Sequence, residues 1–361
     1  MSDPVVEPDR RVAAVVGAVL PAAAADAVRA AVGLPAPSPP VGPGAGPVPR
    51  ADIALALHVV LFADLLDRVP SAAAYVADAR AAGRPIVLDH AAVRTVAWPA
   101  GALPPGRDQV ARLLGPLGYE RHATYDLARL RMTGHAYAHR DRPEAVPQWF
   151  VSELHPDPFS PTFRDTVTRV LAPSVDPIDD ATRERLDRLA ADRALPAEDA
   201  VALVGALRGA FGRHHPLPTD RDHDLLAAES AEMAWIATEG TTCNHCTDRV
   251  ADLDAVVAAE RAAGRPIKDT VEVSASGRVR QTAHRAATVR RPLPTLEGDV
   301  VERSVPGSFF EVISRDRLAD GHLDLAFDAA NATGIFAMTR PVGGPAAGPG
   351  GGPDGPAGET P

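Results

Sequence analysis

Residues 85–96 read PIVLDHAAVRTV, and this stretch decides the fold that the sequence predicts. Its β-branched start, which follows a helical segment, predicts a strand. Side chains four residues apart on a strand lie on one face, so His90 and Arg94 are predicted to face the same site. His245 and Arg249 repeat the spacing. The repeat predicts two related β-rich modules, each of which offers a histidine to a shared centre.

Helical and strand patterns alternate along the rest of the chain. Helical periodicity covers residues 51–83 and much of 160–230, and a short helix is predicted over 108–114. Strand patterns occur near residues 120–126, 127–132, 149–154, 235–238, 271–274, 288–289 and 309–314. The mixture predicts an α+β fold, with β-rich halves and helices packed on one side or inserted between them.

Two histidines and a glutamate are the strongest candidates for a metal site. His90, His245 and Glu311 are the ligand types of the non-haem Fe(II) facial triad, which leaves one side of the metal open for substrate and O₂. They are 155 and 66 residues apart, so only the tertiary fold can bring them together. Each also has a structural interpretation: a hydrogen-bonded histidine at a strand edge, or a glutamate on a solvent-facing strand.

The charge balance limits the partners of the chain. A net charge of −10 and a pI near 5.6 exclude a global positive field, so neither nucleic acid nor an anionic membrane is expected as a partner. A small anionic substrate therefore needs a local arginine. Arg94 is the candidate, because a guanidinium binds a carboxylate through two hydrogen bonds. The alternative for Arg94 is a surface salt bridge. Nothing in the sequence indicates the oligomeric state.

Other candidate motifs have weaker support. Cys243 and Cys246 form a CxxC that would suit half a zinc site or a redox pair, but the sequence offers no second half. With only these two cysteines, a disulfide framework is excluded and a cytoplasmic setting is favoured. The pair His214–His215 is predicted to lie in a polar loop, and the pair His135–His139 has no nearby acid with a clear role. No phosphate-binding loop or nucleophile elbow is present.

The two ends of the chain are predicted to lie outside the catalytic part. Arg10 and Arg11 precede an apolar run as in a secretory signal, but the amphipathic pattern continues to residue 32 and predicts a helix. No apolar run is long enough to span a membrane. The predicted divisions are an N-terminal helix and Pro-rich linker over 1–50, a metal-dependent catalytic domain over 51–340 and a disordered tail over 341–361.

Five stretches also occur in an order that resembles one family. They are residues 88–95 (LDHAAVRT), 146–154 (VPQWFVSEL), 243–247 (CNHCT), 305–311 (VPGSFFE) and 327–332 (FDAANA) with 335–340 (IFAMTR). The chain is thus similar to the 2-oxoadipate dioxygenase/decarboxylase family, the 2-hydroxyglutarate synthases, over roughly residues 50–340. The resemblance implies a vicinal oxygen chelate-like core in which two related modules surround a metal.

The same resemblance implies an activity and a role for each candidate residue. His90, His245 and Glu311 would hold Fe(II), and both histidines would lie against the substrate. Arg94 would be a catalytic residue that holds a substrate carboxylate. The implied reaction converts 2-oxoadipate to 2-hydroxyglutarate with uptake of O₂ and release of CO₂, as a step of lysine catabolism.

The chain departs from the family pattern at two places. Gln148 stands where an arginine is usual, and residues 312–315 (VISR) replace a more aromatic or acidic continuation. These departures leave the size and specificity of the substrate open. The alternatives are a non-oxidative isomerase or lyase that uses another divalent metal, and a non-catalytic protein that binds a small anion.

Overall fold

The computed structural model describes residues 10–35 and 46–328, which contain the helices and strands named here. The helices are α1 (Arg10–Val19), α2 (Ala22–Ala31), α3 (Arg50–Arg68), α4 (Pro70–Ala81), α5 (Asp108–Leu114), α6 (Pro161–Leu171), α7 (Asp180–Asp192), α8 (Ala197–Ala210), α9 (Asp220–Glu229), α10 (Ala231–Glu239) and α11 (Leu253–Ala262). The strands are β1 (Val48–Pro49), β2 (Leu88–Val96), β3 (Tyr119–Leu127), β4 (Met132–His139), β5 (Gln148–Leu154), β6 (Ala194–Leu195), β7 (His245–Arg249), β8 (Glu272–Val273), β9 (Val279–Ala283), β10 (Thr288–Pro294), β11 (Val300–Pro306) and β12 (Phe309–Arg315).

One curled sheet of eight strands, in the order β3-β4-β5-β2-β7-β12-β9-β8, organises the described part of the chain. Its central strands β2 and β7 run antiparallel, with Ala91 opposite Cys246. In one half of the sheet β2 pairs in parallel with β5, and in the other half β7 pairs in parallel with β12. The remaining pairs are antiparallel. The halves are therefore related by a pseudo-twofold axis near Ala91 and Cys246, and the prediction of two related β-rich modules is confirmed.

Helices α1, α3, α4 and α8 pack against one face of the sheet, and Trp235 of α10 reaches the other face beside Arg94. Residues 53–63 of helix α3 are apolar except for His58, and a helix that is apolar on all sides is stable only when it is buried. Helix α3 forms one core with α1, α4, α8 and the sheet residues Ala91, Val93, Phe310 and Val312. Because side chains alternate along a strand, residues 90, 92 and 94 point the other way.

Three local predictions differ from the structure, and one of them is the strand predicted over 127–132, where the 3₁₀ turn Ala128–Leu130 precedes β4. The predicted N-terminal helix is two helices, because Pro21 cannot donate the hydrogen bond that would continue α1 and instead precedes the first turn of α2. The strand predicted at residues 235–238 is wrong, since these residues belong to α10. Ser230 caps that helix by accepting a hydrogen bond from the Met233 N–H. A short apolar run that is buried throughout does not distinguish a helix from a strand.

The divisions predicted along the chain remain proposals. Helices α1 and α2 pack into the same core as α3. Part of the predicted linker, residues 36–45, and the whole predicted tail, residues 341–361, lie outside the described residues.

Candidate metal centre

Three adjacent strands bring the candidate ligands together at the centre of the sheet. His90 lies in β2, His245 begins β7 and Glu311 lies in β12. The two Nε2 atoms are 3.3 Å apart. Glu311 Oε2 lies 3.6 Å from His90 Nε2 and 3.2 Å from His245 Nε2. All three side chains are buried, so the alternative of a solvent-facing Glu311 is wrong. The described residues thus contain a potential metal-binding triad.

The geometry of the triad fits a divalent cation. Three atoms bound to one ion at about 2.1 Å are about 3.0 Å apart in an octahedron and about 3.4 Å apart in a tetrahedron. The observed separations of 3.2, 3.3 and 3.6 Å are close to these values. Neither oxygen of the buried Glu311 carboxylate makes a hydrogen bond within the described part of the chain. A buried carboxylate in that state is costly unless a cation compensates it.

The electrostatic environment of the triad also favours a cation. Burial lowers the pKa of His90, but the hydrogen bond to Asp89 and the charges of Glu311 and Asp89 outweigh it, so the pKa is raised overall. Burial, together with the positive charges of His90 and Arg94, keeps the pKa of His245 well below its ordinary value. A neutral imidazole is the form that binds metals. The negative potential that favours a proton on His90 equally favours a divalent ion between the three side chains.

Asp89 and Arg315 orient His90, a role that the sequence analysis did not assign to either residue. His90 Nδ1 donates to Asp89 Oδ2 over 2.9 Å, which leaves Nε2 directed at the triad. Arg315 Nε in turn lies 3.0 and 3.1 Å from the two Asp89 oxygens. A carboxylate bound to the outer nitrogen of a ligand histidine fixes its tautomer and raises its basicity.

A β-bulge explains why sequence alone does not pair Asp89 with His90. Adjacent residues on a regular strand point to opposite faces. The register of β2 against β7 shifts between Leu88 and Ala91, however, and this irregularity interrupts the alternation at Asp89 and His90. The dipeptide Asp-His was the available signal, but its meaning depends on the bulge.

A cavity that is partly open to solvent lies beside the triad. Both histidines and Arg94 line it, together with Ala92, Phe150, Ser152, Asn244, Gln281, Phe327 and Asp328. Arg94 is fully buried, so its interpretation as a surface salt bridge is wrong. Its guanidinium carbon lies 4.7 Å from the centre of the Trp235 ring. Burial, partly offset by the charge of Glu232, lowers the pKa of Arg94 to about 10, so the side chain remains a cation at neutral pH.

The pseudo-symmetry identifies where a fourth protein ligand would lie. Glu311 is opposite Thr247, two residues after His245. The corresponding position in the other half is Phe150, which is opposite Ala92, two residues after His90. A phenyl ring therefore occupies the place related to the carboxylate, and the candidate site within the described residues consists of three ligand-type side chains.

The second arginine of the sequence repeat has a different environment. Arg249 Nη1 lies 3.5 Å from Asp89 Oδ1, and Arg249 Nη2 donates to the Glu144 carbonyl. It is absent from the residues that line the cavity, so the repeated spacing does not give the two arginines the same role.

The remaining histidine candidates are hydrogen-bonded elsewhere. His135 contacts Glu153 and His139 contacts the Leu117 carbonyl. His214 and His215 contact the backbone carbonyls of Ala210 and Pro216. These last two histidines border another cavity, which has no acidic lining residue.

Cys243 and Cys246 lie beside the metal triad without joining it. Both are buried, and their Sγ atoms are 3.5 Å apart. Cys243 Sγ donates to the His245 carbonyl over 3.1 Å. Within the described residues neither sulfur belongs to the metal-binding group, which leaves no support for half a zinc site.

The double variant Cys243→Ser, Cys246→Ser is expected to keep bound iron and a substantial fraction of wild-type kcat/KM. Thiolates would make a softer site than the one seen here, so no chemistry is assigned to them. The check is iron content together with steady-state kinetics. The matching double alanine variant controls for the cost of burying two hydroxyls. Complete loss of turnover with iron still bound would indicate a thiol mechanism.

Comparison with solved structures places the fold among known proteins. A glyoxalase superfamily protein from Ralstonia eutropha JMP134 is 46% identical, with a TM-score of 0.84 over 88% of this chain and 98% of that one. The hydroxyglutarate synthase of Oryza sativa in complex with 2-oxoadipate is 19% identical, with a TM-score of 0.62 over 84% and 97% of the two chains. That of Pseudomonas putida, also with 2-oxoadipate, is 19% identical, with a TM-score of 0.59 over 81% and 74%. At 19% identity the last two establish the fold.

Comparison with curated proteins found no match. In residues 10–35 and 46–328, no helix combines the length and apolar character needed to cross a bilayer. The sequence pattern of one family, described as 2-oxoadipate dioxygenase/decarboxylase, matches residues 57–337, which is most of the chain. The resemblance inferred from the ordered motifs is thereby confirmed: this chain belongs to the 2-oxoadipate dioxygenase/decarboxylase family.

Proposed function

We propose that this chain is an Fe(II)-dependent dioxygenase that converts 2-oxoadipate to 2-hydroxyglutarate, a step of lysine catabolism. The observation that carries the proposal is the convergence of two imidazoles and one carboxylate beside a cavity that contains a buried arginine. Family membership supports the class of reaction. Two hydroxyglutarate synthases of the same fold are solved in complex with 2-oxoadipate, which supports the class of substrate.

The donor set of His90, His245 and Glu311 supports Fe(II) as the resident metal. Two neutral nitrogens and one carboxylate oxygen form the facial arrangement of non-haem iron oxygenases. Bound Fe(II) would supply the redox chemistry that activates O₂ and a Lewis acid for the 2-oxo acid. Glu311 would offset part of the metal charge, and Phe150, in place of a symmetric carboxylate, would leave room for substrate.

Arg94 would bind and orient the anionic substrate. Its planar guanidinium matches a carboxylate through two hydrogen bonds, and its contact with Trp235 restricts its motion. The chain has a net charge of −10, so attraction of a diacid depends on a local cation of this kind. Because Arg94 is fully buried, an ion pair with substrate would be little screened by water or salt.

Apolar side chains would exclude water from the reacting end of the substrate. Phe150 and Phe327 line the cavity with Ala92, and the two phenyl rings have their centres 5.1 Å apart. Phe327 also meets His90 edge to face, with ring centres 4.9 Å apart. An apolar lining that excludes water strengthens the polar contacts inside the site and limits side reactions.

The metal-free protein is first loaded with Fe(II) under anaerobic conditions. When 2-oxoadipate and O₂ are then added, the protein is expected to consume one O₂ for each CO₂ that it releases. One 2-oxoadipate and one O₂ contain the atoms of one 2-hydroxyglutarate and one CO₂, so no other reductant is needed. The measurement is an O₂ electrode trace with CO₂ determination, repeated over 2-oxo diacids of different length. With ¹⁸O₂ the fresh product should carry two labelled oxygens.

Other outcomes would assign a different function. Turnover without O₂ on Mg²⁺, Mn²⁺ or Co²⁺ would indicate an isomerase or lyase. Binding of the 2-oxo acid without turnover under any of these conditions would indicate a non-catalytic anion-binding protein.

A further inference from the structure

Arg315 ends β12 and is buried at the back of the metal centre. Its side chain is fully inaccessible. Nε lies 3.0 and 3.1 Å from the two Asp89 oxygens, and Nη2 donates to Asp89 Oδ2 over 3.0 Å. The same Oδ2 accepts from His90 Nδ1. One side of the guanidinium therefore fixes the carboxylate that orients a candidate metal ligand.

The other side of Arg315 holds part of the cavity wall. Arg315 Nη1 donates to the Asp324 carbonyl over 2.9 Å and to the Ala326 carbonyl over 2.7 Å. The guanidinium carbon also lies 5.0 Å from the centre of the Phe327 ring. We name residues 324–328 the wall segment, because Phe327 and Asp328 line the cavity.

We propose that Arg315 is a positioning residue that fixes His90 and the wall segment together, so that metal affinity and the substrate-facing wall depend on one side chain. The proposal rests on the proposed function, since it takes the triad as a metal site. Arg315 itself touches neither the metal ligand atoms nor the cavity. It acts through Asp89 on one side and through the carbonyls of Asp324 and Ala326 on the other.

Arginine suits this role for a geometric reason. Its five N–H donors point outward in one plane, so it can bind a carboxylate along one edge and two carbonyls along another. The ammonium of a lysine is a compact charge without this planar fork, and it cannot keep both sets of bonds. Contact with the face of the Phe327 ring further restricts the orientation of the Arg315 guanidinium plane.

The other departure from the family pattern contacts the same segment. Gln148 Nε2 donates to the Leu325 carbonyl over 3.2 Å, and Gln148 Oε1 lies 2.9 Å from His122 Nε2. The Phe327 N–H donates to Tyr125 Oη. Gln148 and Arg315, one residue from each departure from the family pattern, therefore both contact the wall segment.

The test uses two variants, each in metal-free form. Arg315→Lys keeps the charge and loses the planar fork. If the single variant fails to fold, the double variant Asp89→Asn, Arg315→Gln removes both charges of the buried pair together. Arg249, the other cation near Asp89, is partly exposed and keeps its contact with water. In each variant, Co²⁺ affinity measured by competition with a chelator should fall about 10- to 100-fold. Backbone amides of the wall segment should exchange with solvent about tenfold faster, because local opening costs less free energy.

Kinetics at saturating Fe(II) provide a separate readout. Loosening the wall should raise KM for the 2-oxo acid by more than it lowers kcat, since the wall segment faces the substrate. The matched control is Arg50→Lys, because Arg50 is another buried arginine that pairs through two bonds with a carboxylate, that of Asp141. The control should leave Co²⁺ affinity, amide exchange of the wall segment and KM at wild-type values.

The proposal fails if a folded Arg315 variant changes only one of metal affinity and wall exchange, or neither. It also fails if Arg50→Lys changes them equally, since the effect would then be general destabilisation. Absence of divalent-metal binding in the wild-type protein is a different result, because it would overturn the proposed function instead.

Discussion

Glu311→Ala is expected to remove most bound iron and nearly all turnover, and His90→Ala and His245→Ala are expected to do the same. Each substitution deletes one of three protein ligands, and Glu311 supplies the only negative charge among them. Within the described residues no second carboxylate compensates from the symmetric position, because Phe150 occupies it. Loss of one ligand from a set of three leaves too few protein bonds to hold the metal in a fixed geometry.

The measurement is metal content after anaerobic reconstitution, followed by O₂ uptake with 2-oxoadipate. Glu311→Gln is the sharper variant, since it keeps the shape of the side chain and removes its charge. A matched control is Glu260→Gln, because Glu260 is also a buried glutamate in contact with a buried histidine, His284, at 2.9 Å. The control should retain stoichiometric iron. Stoichiometric iron and normal activity in any one ligand variant would overturn the assignment of that residue.

Arg94→Ala is expected to weaken substrate binding about 10- to 150-fold, while iron content is unchanged. The loss corresponds to a charge-assisted contact of about 1.5–3 kcal/mol. Arg94 lines the cavity but is not one of the three ligands, so the metal should stay bound. Arg94→Lys should restore part of the loss, because a lysine keeps the positive charge without the planar two-point geometry.

Two substrates distinguish the roles that Arg94 can have. The kinetic comparison is 2-oxoadipate against a monocarboxylic 2-oxo acid, with iron content measured for each variant. A larger loss on the diacid means that Arg94 binds the distal carboxylate. Equal losses of binding for the two substrates mean that Arg94 does not bind the distal carboxylate. In that case Arg94 can still bind the carboxylate nearest the iron. Wild-type kinetics on both substrates would remove Arg94 from the site. Arg50→Ala, a buried arginine remote from the cavity lining, controls for loss of buried packing.

Local sequence pattern determined much of the secondary structure and the chemical types at the centre. The β-branched run before His90 leads directly into β2, the strand predicted around Glu311 is β12, and the predicted helix over 108–114 is α5. The strand predicted over 127–132 was misplaced, because a short 3₁₀ turn precedes β4. Period-two alternation placed His90 and Arg94 on one face, and both line the same cavity. Such features depend on neighbours a few residues apart.

The tertiary structure alone decided which of these faces meet. His90, His245 and Glu311 are 155 and 66 residues apart, and their distances follow from the pairing of β2, β7 and β12. The bond between Asp89 and His90 depends on a bulge that interrupts the alternation. The different environments of Arg94 and Arg249 depend on what packs beside each strand. Local sequence specifies which residues share a face of a strand. Long-range strand pairing and bulges determine what that face contacts. The site can therefore be identified only from the assembled sheet.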